Sequence, residues 1–283
     1  MPGITDAKRD TKIKALIFGK FKTGKTAGAA TFPRPNFLDF DQGILTVTNP
    51  ELEKKYQYSK AGIMYEQFVE TGLNKQGIAL THNAYDDACR YFDECMKPSG
   101  KWKSPRTGQT YDVGVDMFDT WVIDSGSTLT QAARNKAIIL MGTKEFAQKQ
   151  MSHTHAAAIK TGMLVPKIQD FGAERSLVEQ FIDMVRTTNK NVLLLCHEKE
   201  QWEGEGNDAH LVGYVPLFTG QSTELIPIKF DEVYNLRTRK EGLNTVRYLQ
   251  TAPDGLRACG SRLGVPDGTV FEYGALRQAL NLT

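Results

Sequence analysis

The sequence predicts an α/β fold in which helices flank a mostly parallel central sheet. Short apolar runs at residues 13–18, 118–123 and 191–196 have the length and composition of buried parallel strands. The first two runs precede segments with helical character, and polar or charged residues follow the end of each run. Strands that alternate with helices in this way are typical of α/β proteins with a parallel sheet.

The first run leads into a glycine-rich loop, Gly19-Lys20-Phe21-Lys22-Thr23-Gly24-Lys25-Thr26, which matches the pattern G-x-x-x-x-G-K-[ST]. Residues 27–30 can begin a helix, and Pro33 and Pro35 end it. Backbone N–H groups of such a loop form an anion nest at a helix N-terminus, where the helix dipole also favours phosphate. The strand, loop and helix therefore favour a P-loop over a glycine-rich turn with a surface lysine.

The motif predicts a role for each part of the loop. Gly19 and Gly24 allow the turn and a close approach of the backbone. Lys25 is expected to reach the β- and γ-phosphates of ATP, and the Thr26 hydroxyl to bind Mg²⁺. The predicted nucleotide-binding residues are Gly19, Lys22, Thr23, Gly24, Lys25, Thr26 and Ala27.

Two other strand ends carry carboxylates that suit this site. Asp41 follows the apolar strand predicted at residues 36–40. A carboxylate at such a strand end lies close to where a γ-phosphate and an attacking water would be. The alternative is that the residue belongs only to a turn rich in Asp and Gly. Asp124 ends the run at 118–123 and precedes a helix predicted at 129–140. This is the Walker B arrangement, in which Asp124 holds Mg²⁺ directly or through water; a helix N-cap is the alternative.

The run at 191–196 is followed by His197. A polar residue on a strand beside Walker B can sense the γ-phosphate and transmit its presence to the following loop. The alternative is a histidine at a strand end without a function. The loop that follows, at residues 200–210, is acidic and rich in glycine, and we expect it to be mobile.

The composition restricts the function classes. A net charge of +2 over 283 residues produces no global attraction to nucleic acid, so any such binding must come from local patches. No secretory signal and no apolar run of about 18 residues is present, which favours a soluble, cytoplasmic protein. None of the cysteines belongs to a C-x-x-C pair, and we expect all of them to be reduced thiols. They are Cys89, Cys95, Cys196 and Cys259.

One local patch is the basic stretch at residues 141–169, where the candidate DNA-binding residues are Lys144, Phe146, Lys149 and Lys160. His153 and His155 lie two positions apart, but no third ligand is evident, so exposed histidines are favoured over a metal site. Residues 101–108 are also basic and aromatic, and there a solvated hairpin is favoured over a nucleic-acid surface.

The order of the P-loop, the Asp-x-Asp strand, Ile123-Asp124-Ser125 and the polar sensor strand resembles that of the RecA-like ATPases. Phe32-Pro33-Arg34-Pro35 and the late Phe230–Val233 strand are similar to segments of the phage-encoded members of the single-strand-annealing group. The resemblance implies a RecA-like core and a Mg²⁺-dependent ATPase that binds single-stranded DNA and promotes annealing or homologous recombination. It also implies a ring or filament in the host cytoplasm, with a phage single-strand-binding protein as a candidate partner.

The resemblance further implies roles for single residues. Asp41 falls at the carboxylate that activates the attacking water, where most RecA-like ATPases have glutamate. His197 falls where recombinases usually carry glutamine. Arg262 matches a late arginine that reaches the nucleotide of the neighbouring subunit, with a surface charge as the alternative. The loops that face DNA in this fold correspond to residues 141–169 and 199–215.

The predicted organisation is a flexible arm at 1–11, a core at 12–238 with insertions near 44–78 and 98–117, and a small β-rich C-terminal part at 239–283. Further elements are expected as helices at 83–96, 170–188, 222–228 and 271–280, a short strand near 45–48, and paired strands at 230–236 and 245–250. Two other functions stay open. One is a small-molecule kinase with the same P-loop, and the other is a module in which bound ATP only orders an assembly.

Overall fold

A computed structural model describes residues 12–70, 82–147, 168–242 and 244–281. Its strands are β1 Lys14–Gly19, β2 Pro35–Asp39, β3 Met64–Gln67, β4 Lys101–Lys103, β5 Thr110–Asp112, β6 Thr120–Asp124, β7 Asn191–Glu203, β8 His210–Pro216, β9 Glu232–Glu241, β10 Asn244–Gln250 and β11 Gly260–Ser261. Its α-helices are α1 Lys25–Ala29, α2 Pro50–Tyr56, α3 Ala84–Cys95, α4 Gly126–Ala147, α5 Ile168–Arg186, α6 Ser222–Ile228 and α7 Tyr273–Ala279. None of the helices in the described ranges is both long and apolar enough to cross a bilayer.

The strands form a nine-stranded sheet whose main path runs β10-β9-β1-β7-β6-β2-β3. Every neighbouring pair from β9 to β3 is parallel. The antiparallel additions are β10 and β11, which pair with β9, and β8, which pairs with β7. The short strands β4 and β5 form a separate hairpin. The predicted fold class, a mostly parallel central sheet flanked by helices, is confirmed.

Helices cover both faces of this sheet, and alternate side chains of each strand point to opposite faces. In β1, Leu16 and Phe18 pack in the same hydrophobic cluster as residues of α3, α4 and α5. Ala15 and Ile17 join the opposite cluster, which includes residues of α1, α2 and α7. Because both faces of the sheet are buried, the sequences of the parallel strands are nearly continuous runs of apolar residues.

The parallel arrangement brings the carboxyl ends of the strands to one edge of the sheet. Gly19 at the end of β1 pairs with His197, and Asp39 at the end of β2 pairs with Asp124. Because β7 lies between β1 and β6, His197 lies between the P-loop and Asp124. The prediction that the sensor strand runs beside Walker B is confirmed.

The segment after β2 differs from the prediction. Residues 45–48 were expected to form a strand, but they belong to the 3₁₀ helix Gly43–Thr48. The Asp39 carboxylate accepts hydrogen bonds from the amides of Gly43 and Ile44 at 2.9 and 3.4 Å, which turns the chain immediately after β2. Strand β3, at Met64–Gln67, was not predicted, because its four residues include Glu66 and Gln67 and form no apolar run.

Both segments that were expected to be DNA-facing loops contain regular structure. Helix α4 continues past the predicted end at Leu140 to Ala147, so Lys144 and Phe146 lie in its last turns rather than in a loop. The second segment, residues 199–215, is largely an antiparallel ribbon of β7 and β8, so much of the loop predicted at 200–210 is strand instead. Its acidic residues do not prevent pairing, because the outer half of β7 is exposed and its charges stay in water.

Several predicted features lie outside the described residues. They are the arm at 1–11, most of the basic stretch with Lys149 and Lys160, and His153 and His155. Within the described part of the chain, the helices expected at 83–96, 170–188, 222–228 and 271–280 are present as α3, α5, α6 and α7. The hairpin expected at 101–108 is present as β4 and β5 and extends to Asp112. The boundary predicted at 238/239 falls inside β9, and β10 extends the central sheet.

We expect Gly28→Ala to lower the free energy of unfolding by about 1–3 kcal/mol. A Cβ at position 28 would lie 2.3 Å from Cδ1 of the buried Phe271 ring and 2.8 Å from the Phe271 carbonyl oxygen, so α1 and this segment would have to separate. Urea unfolding followed by circular dichroism measures the change.

The matched control is Gly172→Ala in α5, where an added Cβ meets no described atom within 4 Å. The better helix propensity of alanine should raise the stability of this variant by roughly 0.5–1 kcal/mol. Equal stabilities of the two variants would contradict the close packing of α1 on Phe271.

Candidate functional site

The loop between β1 and α1 has the backbone conformation of an anion nest. Lys22 and Gly24 adopt left-handed conformations, with φ of 62° and 91°. Left-handed residues set among right-handed ones turn successive N–H groups toward the same side of the chain. Glycine is suited to position 24 for a second reason, since an added Cβ would lie 2.3 Å from Nε of Arg247.

Lys25 is the buried cation of the loop. Its Nζ donates to the carbonyl oxygens of Gly19 and Lys20, each at 2.9 Å. Burial lowers the pKa of Lys25, and the nearby Asp124 carboxylate opposes that shift. Gly19 itself packs against β9, where an added Cβ would lie 2.6 Å from the Leu236 carbonyl oxygen.

Thr26 and Asp124, which are 98 residues apart in the sequence, are joined by a hydrogen bond. The Thr26 hydroxyl donates to Oδ2 of Asp124 at 2.6 Å. Burial and the neighbouring Asp41 carboxylate raise the pKa of Asp124, while Thr26 and Lys25 act in the opposite direction. The predicted Walker A and Walker B residues therefore meet at one point.

The carboxylates of Asp39, at the end of β2, and Asp41, two residues later, have different environments. Asp39 is fully buried and, besides the two amides of the turn, accepts from Nε2 of Gln67 at 3.0 Å. Burial raises the pKa of Asp39. This side chain stabilises the turn, and it does not line the cavity described below.

Asp41 points toward the P-loop. Its Oδ2 lies 3.5 Å from Nε2 of His197, and its Oδ1 accepts from the amide of Gly43 at 3.1 Å. Burial alone would raise the pKa of Asp41, but the hydrogen bonds from His197, Ser125 and Gly43 hold it below its usual value. An ionised carboxylate therefore faces the site, with His197 as its neighbour.

These groups line a cavity of about 370 Å³. Its lining residues are Phe21, Lys22, Gly24, Lys25, Thr26, Ala27, Asp41, Gln42, Gly43, Thr46, Leu52, Asp124, His197 and Arg247. Two predicted loop residues do not line it: Gly19 packs on β9, and the Thr23 hydroxyl donates to the Lys20 carbonyl oxygen at 2.9 Å.

Arg262 lies away from this cavity. Its side chain is 74% exposed, and Nη1 donates to Oδ1 of Asp231 at 2.6 Å. A residue that acts on a neighbouring subunit need not approach the site of its own chain. The predicted role of Arg262 therefore stays a prediction.

Sequence reasoning missed Arg247, together with Thr46 and Leu52. Arg247 lies on β10, far from the P-loop in sequence, and its Nε donates to the Thr23 carbonyl oxygen at 2.9 Å. The one available signal was the alternation of β10, which places Arg247 on the same face as the buried Leu249. No local motif accompanies it.

Comparison with known protein families agrees with this geometry. The model of a family described as an AAA domain matches residues 11–263. The chain belongs to this family. The prediction of a nucleotide-binding P-loop ATPase domain is thereby confirmed.

Among solved structures, the AAA domain is similar to a KaiC-like protein from the hyperthermophilic archaeon Pyrococcus horikoshii OT3. The two chains are 12% identical, the match covers 84% of this chain and 77% of the other, and the TM-score is 0.37. No curated protein matches the chain.

The oxygen donors at the site fit Mg²⁺, which takes one or two protein ligands together with phosphate oxygens and water. Thr26 Oγ1 and Asp124 Oδ2 already lie 2.6 Å apart beside the nest. Among the described residues, no group of three or more His, Cys, Asp or Glu side chains could hold a metal ion. The two oxygen donors beside the anion nest suit a metal ion that is shared with phosphate oxygens.

We expect Asp39→Ala to lower the free energy of unfolding by about 2 kcal/mol or more, because the Gly43 amide and the Gln67 side chain lose a charged acceptor in a buried place. Asp41→Ala should lower the free energy of unfolding by less than about 1 kcal/mol, because that side chain is partly exposed and its removal relieves the repulsion between the Asp41 and Asp124 carboxylates. Urea unfolding of the nucleotide-free variants measures both, and equal losses would contradict the separate roles.

Proposed function

We propose that this AAA domain is a Mg²⁺-dependent ATPase that binds single-stranded DNA and promotes annealing or homologous recombination in a phage. The observation that carries the hydrolytic part is the 2.6 Å hydrogen bond between Thr26 and Asp124, with Lys25 and Asp41 lining the same cavity. These residues provide a cation for the phosphates, two oxygen donors for a metal ion and a carboxylate for water.

Binding of the triphosphate uses groups that are already in position. The Lys25 ammonium exchanges its two carbonyl acceptors for oxygens of the β- and γ-phosphates. Thr26 and Asp124 would hold Mg²⁺, which when bound neutralises charge on those phosphates. The backbone N–H groups of the loop orient the phosphate chain.

Asp41 is the group that we assign to the attacking water. Its pKa is held below the usual value, so it is ionised near neutral pH and can accept a hydrogen bond from water. His197 keeps the carboxylate in place and lies beside the exposed Phe21 ring, with 6.0 Å between ring centroids. Asp41 is one methylene shorter than glutamate, and the turn after β2 brings it to the cavity.

Helix α4 supports a connection between this site and DNA. It begins two residues after Asp124, and the amide of His197 donates to the hydroxyl of Ser127 in its first turn at 3.2 Å. Its last turns contain Lys144 and Phe146, roughly 30 Å from its start at the helical rise per residue. A change at His197 could therefore move the helix that leads into the basic segment.

Assembly is a further part of the proposal. The exposed Arg262 is available to a neighbouring subunit, which is the feature that supports a ring or filament. Single-stranded DNA and a phage single-strand-binding protein are the other proposed partners, and both follow from the sequence resemblance.

The hydrolytic role is tested by steady-state ATP turnover. We expect Lys25→Ala to abolish turnover and Asp41→Asn to lower kcat by at least about 10²-fold while ATP still binds. The control is Asp86→Asn on α3, where the carboxylate pairs with Lys136 outside the cavity; it should turn over ATP like the wild type. Unchanged turnover in Asp41→Asn would argue against a catalytic role for this carboxylate, whereas a wild-type protein that binds ATP without turning it over would mean that ATP only orders an assembly.

The DNA role is tested by the same assay with single-stranded DNA, which we expect to stimulate turnover. In the presence of a non-hydrolysable ATP analogue, the double variant Lys149→Gln/Lys160→Gln should bind single-stranded DNA more weakly. The slope of the logarithm of the binding constant against the logarithm of the salt concentration should become shallower by about 1.4, because each lost phosphate contact changes it by about 0.7. Lys54→Gln/Lys60→Gln is the charge-matched control.

Turnover that ignores DNA, together with no DNA binding in the presence of the analogue, would overturn the recombination part of the proposal. The Asp41 and Lys25 variants would then be the remaining test of the hydrolytic part.

A further inference from the structure

A cationic side chain from the C-terminal hairpin enters the nucleotide cavity. Arg247 lines the cavity from β10, and its Nε donates to the Thr23 carbonyl oxygen at 2.9 Å. Its guanidinium carbon lies 5.6 Å from the centroid of the Tyr56 ring. Two contacts from different parts of the chain thus hold the planar guanidinium in one orientation.

The strand order separates the two ends of the cavity. His197 and Asp124 belong to β7 and β6, on one side of β1, whereas Arg247 belongs to β10 on the other side. The reacting end of the phosphate chain lies toward Asp41 and His197, where the carboxylates are. The nucleoside must therefore extend toward the opposite end, which is where Arg247 lies.

The groups near Arg247 suit a flat ring rather than more phosphate, because helix α2 brings Tyr56 to the guanidinium and lines the cavity one turn earlier with Leu52. Leu52 contributes an apolar side chain and Thr46 a small one, and both follow β2 in the segment that packs on α1. An arginine guanidinium stacks on aromatic faces, and its rigid plane loses little freedom in doing so. Tyr56 is not part of the cavity lining, so it supports the guanidinium from behind.

We propose that Arg247 is the nucleoside-binding residue of this site, and that the base of the nucleotide stacks on its guanidinium. The inference rests on the proposed function, because it requires a nucleotide in the P-loop. Arg247 also contacts the loop backbone through Thr23, so a test must distinguish base binding from simple support of the loop.

Inorganic tripolyphosphate makes that distinction, because it contains the phosphate chain and lacks the nucleoside. Calorimetric titration would compare it with a non-hydrolysable ATP analogue, each with Mg²⁺. In Arg247→Gln we expect about tenfold weaker binding of the ATP analogue, the loss typical of one stacking contact. Binding of tripolyphosphate should stay at the wild-type value.

Arg247→Lys is a second variant that keeps the positive charge and loses the planar group, and it should show the same selective loss. The matched control is Arg239→Gln on the neighbouring strand, where the guanidinium lies 5.0 Å from the Tyr248 ring and does not line the cavity. Both ligands should bind this control like the wild type.

Equal loss of both ligands would overturn the inference and leave Arg247 as a support of the loop. Wild-type binding of the ATP analogue by both Arg247 variants would overturn it as well, while the proposed function would stand. A wild-type protein that binds neither ligand would overturn the inference and the proposed function together.

Discussion

Burial of the central sheet on both faces is the constraint on which the site depends. Strands covered by helices on each side expose functional groups to solvent mainly where they end, and the parallel pairing places those ends on one edge. Asp124 and His197 therefore lie near the P-loop without any local sequence relation to it. The 2.6 Å hydrogen bond from Thr26 to Asp124 is the point at which this edge is joined to α1.

The same edge concentrates opposite charges in a place with little water. Burial lowers the pKa of Lys25 and raises that of Asp124, so each group is destabilised in its charged form and each is supported by the other. Asp41 differs, because three hydrogen-bond donors hold its pKa low. This difference between the two neighbouring carboxylates supports the roles proposed for them, metal binding by Asp124 and activation of water by Asp41.

The elements that could be predicted are those with signals inside a short window. Apolar runs located β1, β6 and β7, and the glycine pattern located the P-loop. What could not be predicted depends on contacts between distant residues. Asp39 fixes the turn after β2, the pairing of β7 with β8 outweighs an acidic composition, and Arg247 reaches the P-loop across β9. Each of these requires the register of the finished sheet.

The position of β1 in that sheet has a consequence for synthesis of the chain. Its partners are β7 and β9, so residues near the N-terminus, such as Ala15, pair with Leu193 and Glu232. While the ribosome is still making the second half of the chain, the P-loop has no completed neighbours on either side. Such long-range pairing forms slowly and leaves hydrophobic strands exposed in the meantime. The nascent chain thus completes the sheet around the P-loop only after β7 and β9 have been made.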